Sequence, residues 1–314
     1  MSQESPTVAH VLALVRDSLR VAGSDTPELD AEVLLAHVLG HERAWLYAHP
    51  DYRLASSQLD TCASQVHRRT AREPIAYLLG HKEFFGLDFI VSPAVLVPRP
   101  ETELLVEIAL ESALHKGATL TVADVGTGSG VIAVALAAYL PRAHLLAIDT
   151  SSDALAVARR NAARHGVAGR VMCVQADLLR PFDGAFDLIV SNPPYLCTDE
   201  LRADVGPGTG VPQVETEIGG ALSAAECGNP LAWEPRVALD GGGDGLAVIR
   251  RLLPLAAHEL GSGGVLVMEL GASQGQAVLS LAVPHFPGAA VEIVSDYAGM
   301  DRVLVVRRPR RRVS

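Results

Sequence analysis

The residue types best suited to chemistry occur together in the tetrapeptide Asn192-Pro193-Pro194-Tyr195. An amide or exocyclic amino nitrogen is a poor nucleophile because its lone pair is delocalised. The side-chain oxygen of Asn192 and the backbone carbonyl of Pro193 can each accept one N–H, which localises that lone pair and stabilises charge growing on nitrogen. Prolines bring no competing N–H donor, and Tyr195 offers a flat face to a planar group. The motif predicts a site that activates such a nitrogen.

A second segment predicts a cofactor loop and reads Asp124-Val125-Gly126-Thr127-Gly128-Ser129-Gly130. Glycines allow a tight turn and a close approach of ligand to backbone. The free N–H groups of the helix that follows favour a carboxylate or phosphate. Asp149 ends the next predicted strand, where its carboxylate can accept bonds from ribose hydroxyls.

The spacing of this loop distinguishes two cofactors. A dinucleotide fingerprint reads Gly-x-Gly-x-x-Gly, whereas this loop reads Gly-x-Gly-x-Gly with an acid two residues before it. That arrangement resembles the first motif of the Rossmann-like methyltransferases that use S-adenosylmethionine and release S-adenosylhomocysteine. A dehydrogenase is therefore disfavoured, and a binding protein without catalysis would leave Asn192 and Tyr195 unexplained.

The methyltransferase resemblance implies a role for each residue of the cofactor site. Asp124 would lie near the methionine amino group, Asp149 would take the ribose hydroxyls, and Asp177-Leu178 would border the adenine. Asn192 would touch both cofactor and substrate. The loop residues that would hold the cofactor are Gly126, Thr127, Gly128, Ser129 and Gly130.

Both motifs need strands to position them. Apolar periodicity predicts strands at residues 120–125, 144–149, 171–175 and 186–191, helices at 131–139 and 152–165, and later strands at 264–270, 291–295 and 302–307. This alternation is typical of an α/β fold with a mostly parallel sheet, here with a closing antiparallel strand. The two motifs would then lie at carboxyl ends of strands, where ligands bind in open sheets.

The first eighty residues have a helical pattern instead. Apolar residues recur at helical spacing from Val8 to Leu19. Thr26 and Pro27 predict a second helix start, with a capping hydroxyl followed by proline. The predicted apolar face of that helix contains Leu29, Val33, Ala36 and Leu39, and Gly40 ends it. A third helix is predicted over 57–72, stopped by Pro74. A hairpin over 84–97 turns at Gly86 and precedes a helix over 101–115.

These patterns predict four parts. Residues 1–80 form a helical domain, 81–97 a β-hairpin linker, 98–308 the methyltransferase domain that the cofactor loop implies, and 309–314 a basic tail. Within the third part, residues 203–230 are rich in glycine and proline without periodicity, which predicts a mobile insertion.

The whole chain resembles the release factor glutamine methyltransferase family. The segments that carry this resemblance, besides Asn192 to Tyr195, are Arg72-Glu-Pro-Ile-Ala-Tyr-Leu-Leu-Gly80, Phe84-Phe-Gly-Leu-Asp-Phe89, Pro98-Arg-Pro-Glu-Thr-Glu103, Glu234-Pro235, Gly242 to Leu246, Glu269-Leu-Gly271 and Asp296 to Arg302. The resemblance implies methyl transfer to the glutamine of the Gly-Gly-Gln loop in class I peptide release factors, with the helical domain helping to dock them. Arg99 and Glu101 would lie near the active site without an assigned role.

One feature departs from the family pattern. Tyr195 and Glu234 are 39 positions apart, farther than is usual in the family, and the tract at 203–230 accounts for the difference. Because insertions in surface loops cost little, we expect this tract to be tolerated rather than required.

Composition bears on the remaining alternative, a methyltransferase of DNA or ribosomal RNA bases. The chain has 314 residues, a formal net charge of −10 and 4% aromatic residues, whereas nucleic-acid binding favours a basic, aromatic-lined groove. The four cysteines are far apart and form no zinc-ligand pattern, so no metal site is expected. No leader or membrane-spanning run is evident, which predicts a soluble, cytoplasmic protein. We also expect a monomer.

Overall fold

The computed structural model describes residues 5–114, 119–180, 182, 184, 186–203, 214–215, 221–222 and 230–310. The chain divides into two compact units. The first contains the described residues up to Gly80 and those between Ala203 and Trp233, and the second contains His81–Arg202 and the described residues from Glu234 onward. The predicted insertion at 203–230 and the predicted tail at 309–314 lie largely outside the described residues.

The helices are α1 (Val8–Val21), α2 (Pro27–Leu39), α3 (Arg43–Ala48), α4 (Ser56–Thr70), α5 (Ile75–Leu79), α6 (Thr102–Leu114), α7 (Val131–Tyr139), α8 (Ser152–Arg164), α9 (Thr198–Ala203), α10 (Ala247–Glu259) and α11 (Gly275–Ala282). The strands are β1 (His81–Phe84), β2 (Leu87–Ile90), β3 (Thr121–Val125), β4 (His144–Asp149), β5 (Val171–Gln175), β6 (Phe186–Ser191), β7 (Val214–Glu215), β8 (Ala221–Leu222), β9 (Leu260–Glu269), β10 (Ala290–Ser295) and β11 (Asp301–Arg307).

The first unit is built around α2, which packs against both α1 and α4. As predicted, α2 begins at Pro27 and ends at Gly40, whose φ is +70°. The Thr26 hydroxyl does not cap the backbone, and instead it donates to the Asp30 carboxylate at 3.1 Å. The predicted apolar face was right at Ala36, which is buried, but wrong at Leu29, which is 42% exposed, and it missed Leu34 and Leu35, which are fully buried. A helix packed on two sides buries more than one stripe of residues.

Two short helices of this unit, α3 and α5, were not predicted. The third predicted helix ends at Thr70, and Arg72 has a φ of +68°. Pro74 therefore precedes the start of α5 rather than only stopping a helix. Proline is well tolerated at a helix start because the N–H it lacks would have no partner there. The Trp233 indole N–H donates to the Ala71 carbonyl at 3.0 Å, within the same unit.

The second unit contains a seven-stranded sheet in the order β10-β11-β9-β6-β3-β4-β5. β11 runs antiparallel to both of its neighbours, and the remaining pairings are parallel. The predicted α/β fold, a mostly parallel sheet with a closing antiparallel strand, is confirmed. Central strands such as β3 and β6 are buried along most of their length because the sheet is covered on both faces.

The order of the strands determines where ligands can bind. The chain runs outward from β3 to β4 and β5, then returns to place β6 on the other side of β3. The connections after β3 and β6 therefore diverge at their carboxyl ends and leave a crevice between them. The Ser191 hydroxyl, at the end of β6, donates to the Val125 carbonyl at the end of β3 over 2.7 Å.

The hairpin of β1 and β2 belongs to the second unit. Its turn residues Phe85 and Gly86 have φ values of +52° and +73°, as a two-residue turn of type I′ requires. Phe84 and Phe89 are buried in the apolar core beneath α6 and α7. The predicted turn at Gly86 is confirmed, but the predicted bounds of 84–97 were wrong, since the paired strands span 81–90.

In the described part of the chain, every helix is too short or too polar to cross a bilayer.

Candidate active site

A cavity opens at the carboxyl ends of β3 to β6, within the second unit. It brings together most of the residues that the sequence identified: Gly126, Thr127, Gly128, Ser129, Asp149, Asp177, Leu178, Asn192, Pro193 and Pro194. Three others, Asp124, Gly130 and Tyr195, do not line it. The cofactor loop and the Asn-Pro-Pro-Tyr turn therefore share one cavity, as the strand order requires.

The backbone of the cofactor loop depends on its glycines. Gly126, Gly128 and Gly130 have φ values of +76°, +54° and +82°, a region that residues with a Cβ rarely adopt. Gly130 precedes α7 and packs against α8, where an added Cβ would lie 3.0 Å from the Cβ of Ala158. The loop can thus deliver the free N–H groups at the start of α7 to the cavity.

Asp149 links the cofactor loop to the end of β4. Its Oδ2 accepts from the Gly128 N–H and its Oδ1 from the Ser151 N–H, each at 2.9 Å. Two carboxylate oxygens have about four acceptor positions between them. Asp149 therefore keeps acceptor capacity toward the cavity that it lines.

Asp124 lies behind the cofactor loop and is completely buried. Its Oδ2 accepts from the Thr127 hydroxyl at 2.6 Å and from the Ala133 N–H at 3.1 Å. Its Oδ1 is buried without a hydrogen-bond partner in the described part of the chain. Burial raises the pKa of this carboxyl to about 7, although the bonds from Thr127 and Ala133 oppose the shift.

Asp177 and Leu178 lie at the far side of the cavity, after β5. Leu178 has a φ of +56°. Both oxygens of Asp177 accept from one nitrogen of the Arg251 guanidinium, at 2.7 and 2.5 Å. Arg251 is on α10 and also lines the cavity. It was not predicted from the sequence, since no local signal pairs residues so far apart. The Asp177 carboxylate is therefore already neutralised by a cation.

The Asn-Pro-Pro-Tyr turn presents Asn192, Pro193 and Pro194 to the cavity. Tyr195 points elsewhere, with its hydroxyl donating to Glu269 Oε1 at 3.1 Å. Burial, followed by the negative charge of Glu269, raises the pKa of the Tyr195 phenol. The stacking of Tyr195 on a planar substrate group stays a prediction. The contact that the structure shows is the hydrogen bond from Tyr195 to Glu269.

The segment before α10 packs closely on this turn. Leu196 donates its N–H to the Leu239 carbonyl at 3.0 Å and accepts from the Gly241 N–H at 2.8 Å. A Cβ at Gly245 would lie 2.4 Å from the Tyr195 carbonyl oxygen. The glycines of this segment therefore let two backbones meet, which explains why the chain has glycine there.

A buried chain of hydrogen bonds begins at Asn192. Its Nδ2 donates to the Thr102 hydroxyl at 3.1 Å, and Thr102 donates to Glu269 Oε2 at 2.7 Å. Thr102 is 3% exposed and Glu269 is fully buried. Burial raises the pKa of Glu269, opposed first by the bonds from Thr102 and Tyr195.

Thr102 and Glu269 were not predicted to have a role, although both lie in segments that carry the family resemblance. The available signal was an acidic residue directly after the apolar run from Val265 to Met268 in β9.

Arg99 also reaches the cavity. Its guanidinium pairs with the buried carboxylate of Glu234 at 2.5 Å, and Glu234 also accepts from the Val97 N–H at 3.1 Å. The Pro-Arg-Pro segment is thereby anchored beside the cavity. No group of His, Cys, Asp and Glu side chains able to hold a metal ion occurs among the described residues.

Comparisons with known proteins place the chain among enzymes. A family model described as PrmC N-terminal domain matches residues 10–80, and one described as Methyltransferase small domain matches residues 101–211. A protein of Geobacter sulfurreducens named release factor glutamine methyltransferase is 42% identical over 276 residues, which cover 88% of each chain. The chain belongs to the release factor glutamine methyltransferase family. The resemblance drawn from its motifs is confirmed.

Further relatives agree with this membership. A release factor glutamine methyltransferase of Moorella thermoacetica is 42% identical over 291 residues, covering 92% of this chain and 94% of that one. A solved methyltransferase structure from Pyrococcus furiosus is 18% identical with a TM-score of 0.50, covering 79% of this chain and 98% of that one. The latter shows the fold alone. Membership of a methyltransferase family implies S-adenosylmethionine as methyl donor.

Proposed function

We propose that this protein transfers a methyl group from S-adenosylmethionine to the side-chain amide nitrogen of the glutamine in the Gly-Gly-Gln motif of class I peptide release factors. The observation that carries the proposal is the position of Asn192 and Pro193, which line the same cavity as the glycine loop. Two relatives that match most of the chain are named release factor glutamine methyltransferase, which supports the choice of a release factor as acceptor.

The residues of the cavity fit this cofactor. When bound, S-adenosylmethionine supplies an electrophilic methyl group on a sulfonium. The loop residues Gly126 to Gly130 would hold the methionine carboxylate of the cofactor and the part of it that lies against the loop backbone. Asp149 would accept hydrogen bonds from the ribose hydroxyls. Asp124 Oδ1 is a buried acceptor without a donor in the described residues, which fits a group that meets the cofactor's amino group directly or through water. Asp177 and Leu178 would border the adenine, beside Arg251.

Asn192 and Pro193 would activate the acceptor. The amide oxygen of Asn192 makes no hydrogen bond within the described part of the chain, so it is available to one N–H of the substrate glutamine. The Pro193 carbonyl would take the other N–H. Two acceptors fix the plane of the amide and stabilise the positive charge that develops on nitrogen. Holding this nitrogen in line with the methyl group supplies much of the remaining rate. The cationic product nitrogen loses its proton without a dedicated base.

The helical first unit would help to dock the release factor. Its residues form a separate compact unit with an apolar core of its own, and a family model covers residues 10–80 specifically. Such a unit adds contact surface without taking part in the chemistry.

Side-by-side labelling tests the function. The enzyme is incubated with radiolabelled S-adenosylmethionine and, in separate reactions, a class I release factor, its Gly-Gly-Ala variant, DNA and ribosomal RNA. We expect label on the release factor and none on the Gly-Gly-Ala variant. Label on a nucleic acid with none on the release factor would reverse the assignment. Asn192→Ala should abolish transfer while keeping the melting temperature of the wild type.

A further inference from the structure

We propose that Thr102 and Glu269 are positioning residues that fix which end of the Asn192 amide faces the acceptor. This inference rests on the proposed function, because it assigns a role to the amide oxygen of Asn192 in that reaction. Neither residue contacts the acceptor in the proposal. They act through the hydrogen-bond chain that runs from Asn192 Nδ2 to Thr102 Oγ1 and on to Glu269 Oε2.

The chain of bonds has a direction. Thr102 has a single O–H, and an ionised Glu269 can only accept. The Thr102 hydroxyl must therefore donate to Glu269, which leaves its oxygen as an acceptor for Asn192. Only the NH₂ end of Asn192 can satisfy that acceptor, so the amide oxygen is left for the substrate.

Reversing the direction of these hydrogen bonds would turn the Asn192 amide around. In Glu269→Gln, the Tyr195 hydroxyl that donates to Oε1 would hold the amide oxygen at that position. The NH₂ group would then face Thr102 and give it a hydrogen, so the Thr102 O–H would point at Asn192. The amide of Asn192 would turn its oxygen toward Thr102 and its NH₂ toward the cavity. An NH₂ group facing the NH₂ of a substrate glutamine offers no acceptor, so the lone pair would stay delocalised.

The surroundings favour the productive direction. Glu269 is fully buried and Thr102 is 3% exposed, so water does not compete for these bonds. Tyr195, after β6, supplies a second O–H donor to Glu269 at 3.1 Å. Burial raises the pKa of Glu269, whereas the hydrogen bonds from Thr102 and Tyr195 and the charge of Arg302 on β11 favour its ionised form, and the charge of Glu101, before α6, opposes it. Arg302 is held in place by Asp296, with nitrogen and oxygen 3.1 Å apart.

Three variants separate this role from simple packing. Thr102→Ser keeps the hydroxyl and loses a methyl group, Thr102→Val keeps the shape and loses the hydroxyl, and Glu269→Gln keeps the shape and introduces a donor. Glu259→Gln is the matched control, since Glu259 is also a buried acid but accepts from Gly184 at another end of the sheet. Each protein is assayed for kcat and KM with a release factor, for affinity toward S-adenosylhomocysteine, and for melting temperature.

We expect Thr102→Val and Glu269→Gln to lower kcat by roughly 100-fold, as loss of one oriented catalytic group does. Thr102→Ser and Glu259→Gln should stay within about threefold of wild type. Affinity for S-adenosylhomocysteine should change little in all four, because none of the substituted side chains makes a hydrogen bond to the cofactor loop.

Equal kcat values for Thr102→Ser and Thr102→Val would overturn the proposal, as would wild-type kcat in Glu269→Gln. If Thr102→Val unfolds at the assay temperature, the comparison of kcat between Glu269→Gln and Glu259→Gln tests the proposal by itself. A wild-type enzyme that labels a nucleic acid refutes the proposed function instead, and the same variants are then compared on that acceptor.

Discussion

The Asp149 carboxylate accepts the Gly128 N–H at 2.9 Å, so the end of β4 holds the loop that follows β3. The other carboxylate oxygen accepts from Ser151, at the start of α8. One side chain thus ties two strand ends together and still offers acceptor positions to a ligand. A change at Asp149 is therefore expected to alter both the shape of the cofactor loop and the affinity for the cofactor.

The substitution Asp149→Asn should weaken binding of S-adenosylhomocysteine about 10- to 100-fold, since bonds to a charged group contribute about 1.5–3 kcal/mol. The asparagine keeps one acceptor oxygen and replaces the other with a donor. Titration calorimetry measures the effect. Asp153→Asn, an exposed acid in the first turn of α8, serves as control. Equal affinity in both variants would contradict the role of Asp149.

A pH-dependent stability is expected from Asp124, whose pKa is raised from 3.8 to about 7 by burial. Between these values the folded chain binds a proton that the unfolded chain does not. Its contribution to stability is therefore full below about pH 4 and is lost as pH rises toward 7. Without cofactor, the melting temperature of wild type minus that of Asp124→Asn should fall from about pH 5 to about pH 8. A constant difference over this range would argue that Asp124 is ionised throughout.

Gly245 and Gly243 provide a matched pair beside the Asn-Pro-Pro-Tyr turn. Gly245 has a φ of +72°, and a Cβ there would lie 2.4 Å from the Tyr195 carbonyl oxygen, whereas a Cβ at Gly243 meets nothing within 4 Å. Gly245→Ala should displace the turn and lower methyl transfer by at least about tenfold, because small misplacements at a site are costly. Gly243→Ala should keep wild-type activity. Similar rates in the two variants would show that the turn tolerates the shift.

Asn161 is expected to be a major source of stability. This fully buried side chain of α8 bonds to both the N–H and the carbonyl of Ile90 and to the carbonyl of Ser129, at 2.8–2.9 Å. Asn161→Ala leaves these groups unpaired and should lower the free energy of unfolding by about 2–4 kcal/mol.

Denaturation by urea checks this value. Arg164→Ala, on the same helix, removes only a half-exposed ion pair with Asp88 and should cost less than about 1 kcal/mol. A loss of the same size in both variants would mean that the Asn161 bonds contribute little.

Much of the sheet could be predicted from the sequence, because its strands are short apolar runs between turn residues. β4, β5 and β6 have the predicted bounds. Helices α3 and α5 have six and five residues, too few for a helical period to be recognised. The face of α2 was misjudged because its burial depends on two neighbouring helices.

The candidate site also contains residues that could be predicted from the sequence and residues that could not. The glycine loop, Asp149 and Asn192 have local signals, since each lies at the carboxyl end of a strand. The partners that orient them have none. Thr102 and Glu269 are 167 positions apart, and Asp177 and Arg251 are 74 apart. Such pairings exist only after the sheet has formed, so residue types and spacing cannot reveal them.

The return of the chain from β5 to β6 has a consequence for refolding. β3, β4 and β5 can pair with their neighbours in sequence, whereas the contact of Ser191 with Val125 closes a separation of 66 positions. Closing a longer loop costs more chain entropy and slows folding. During refolding we therefore expect affinity for S-adenosylhomocysteine to return before methyl transfer. The interval between the two recoveries would time the insertion of β6 into the sheet.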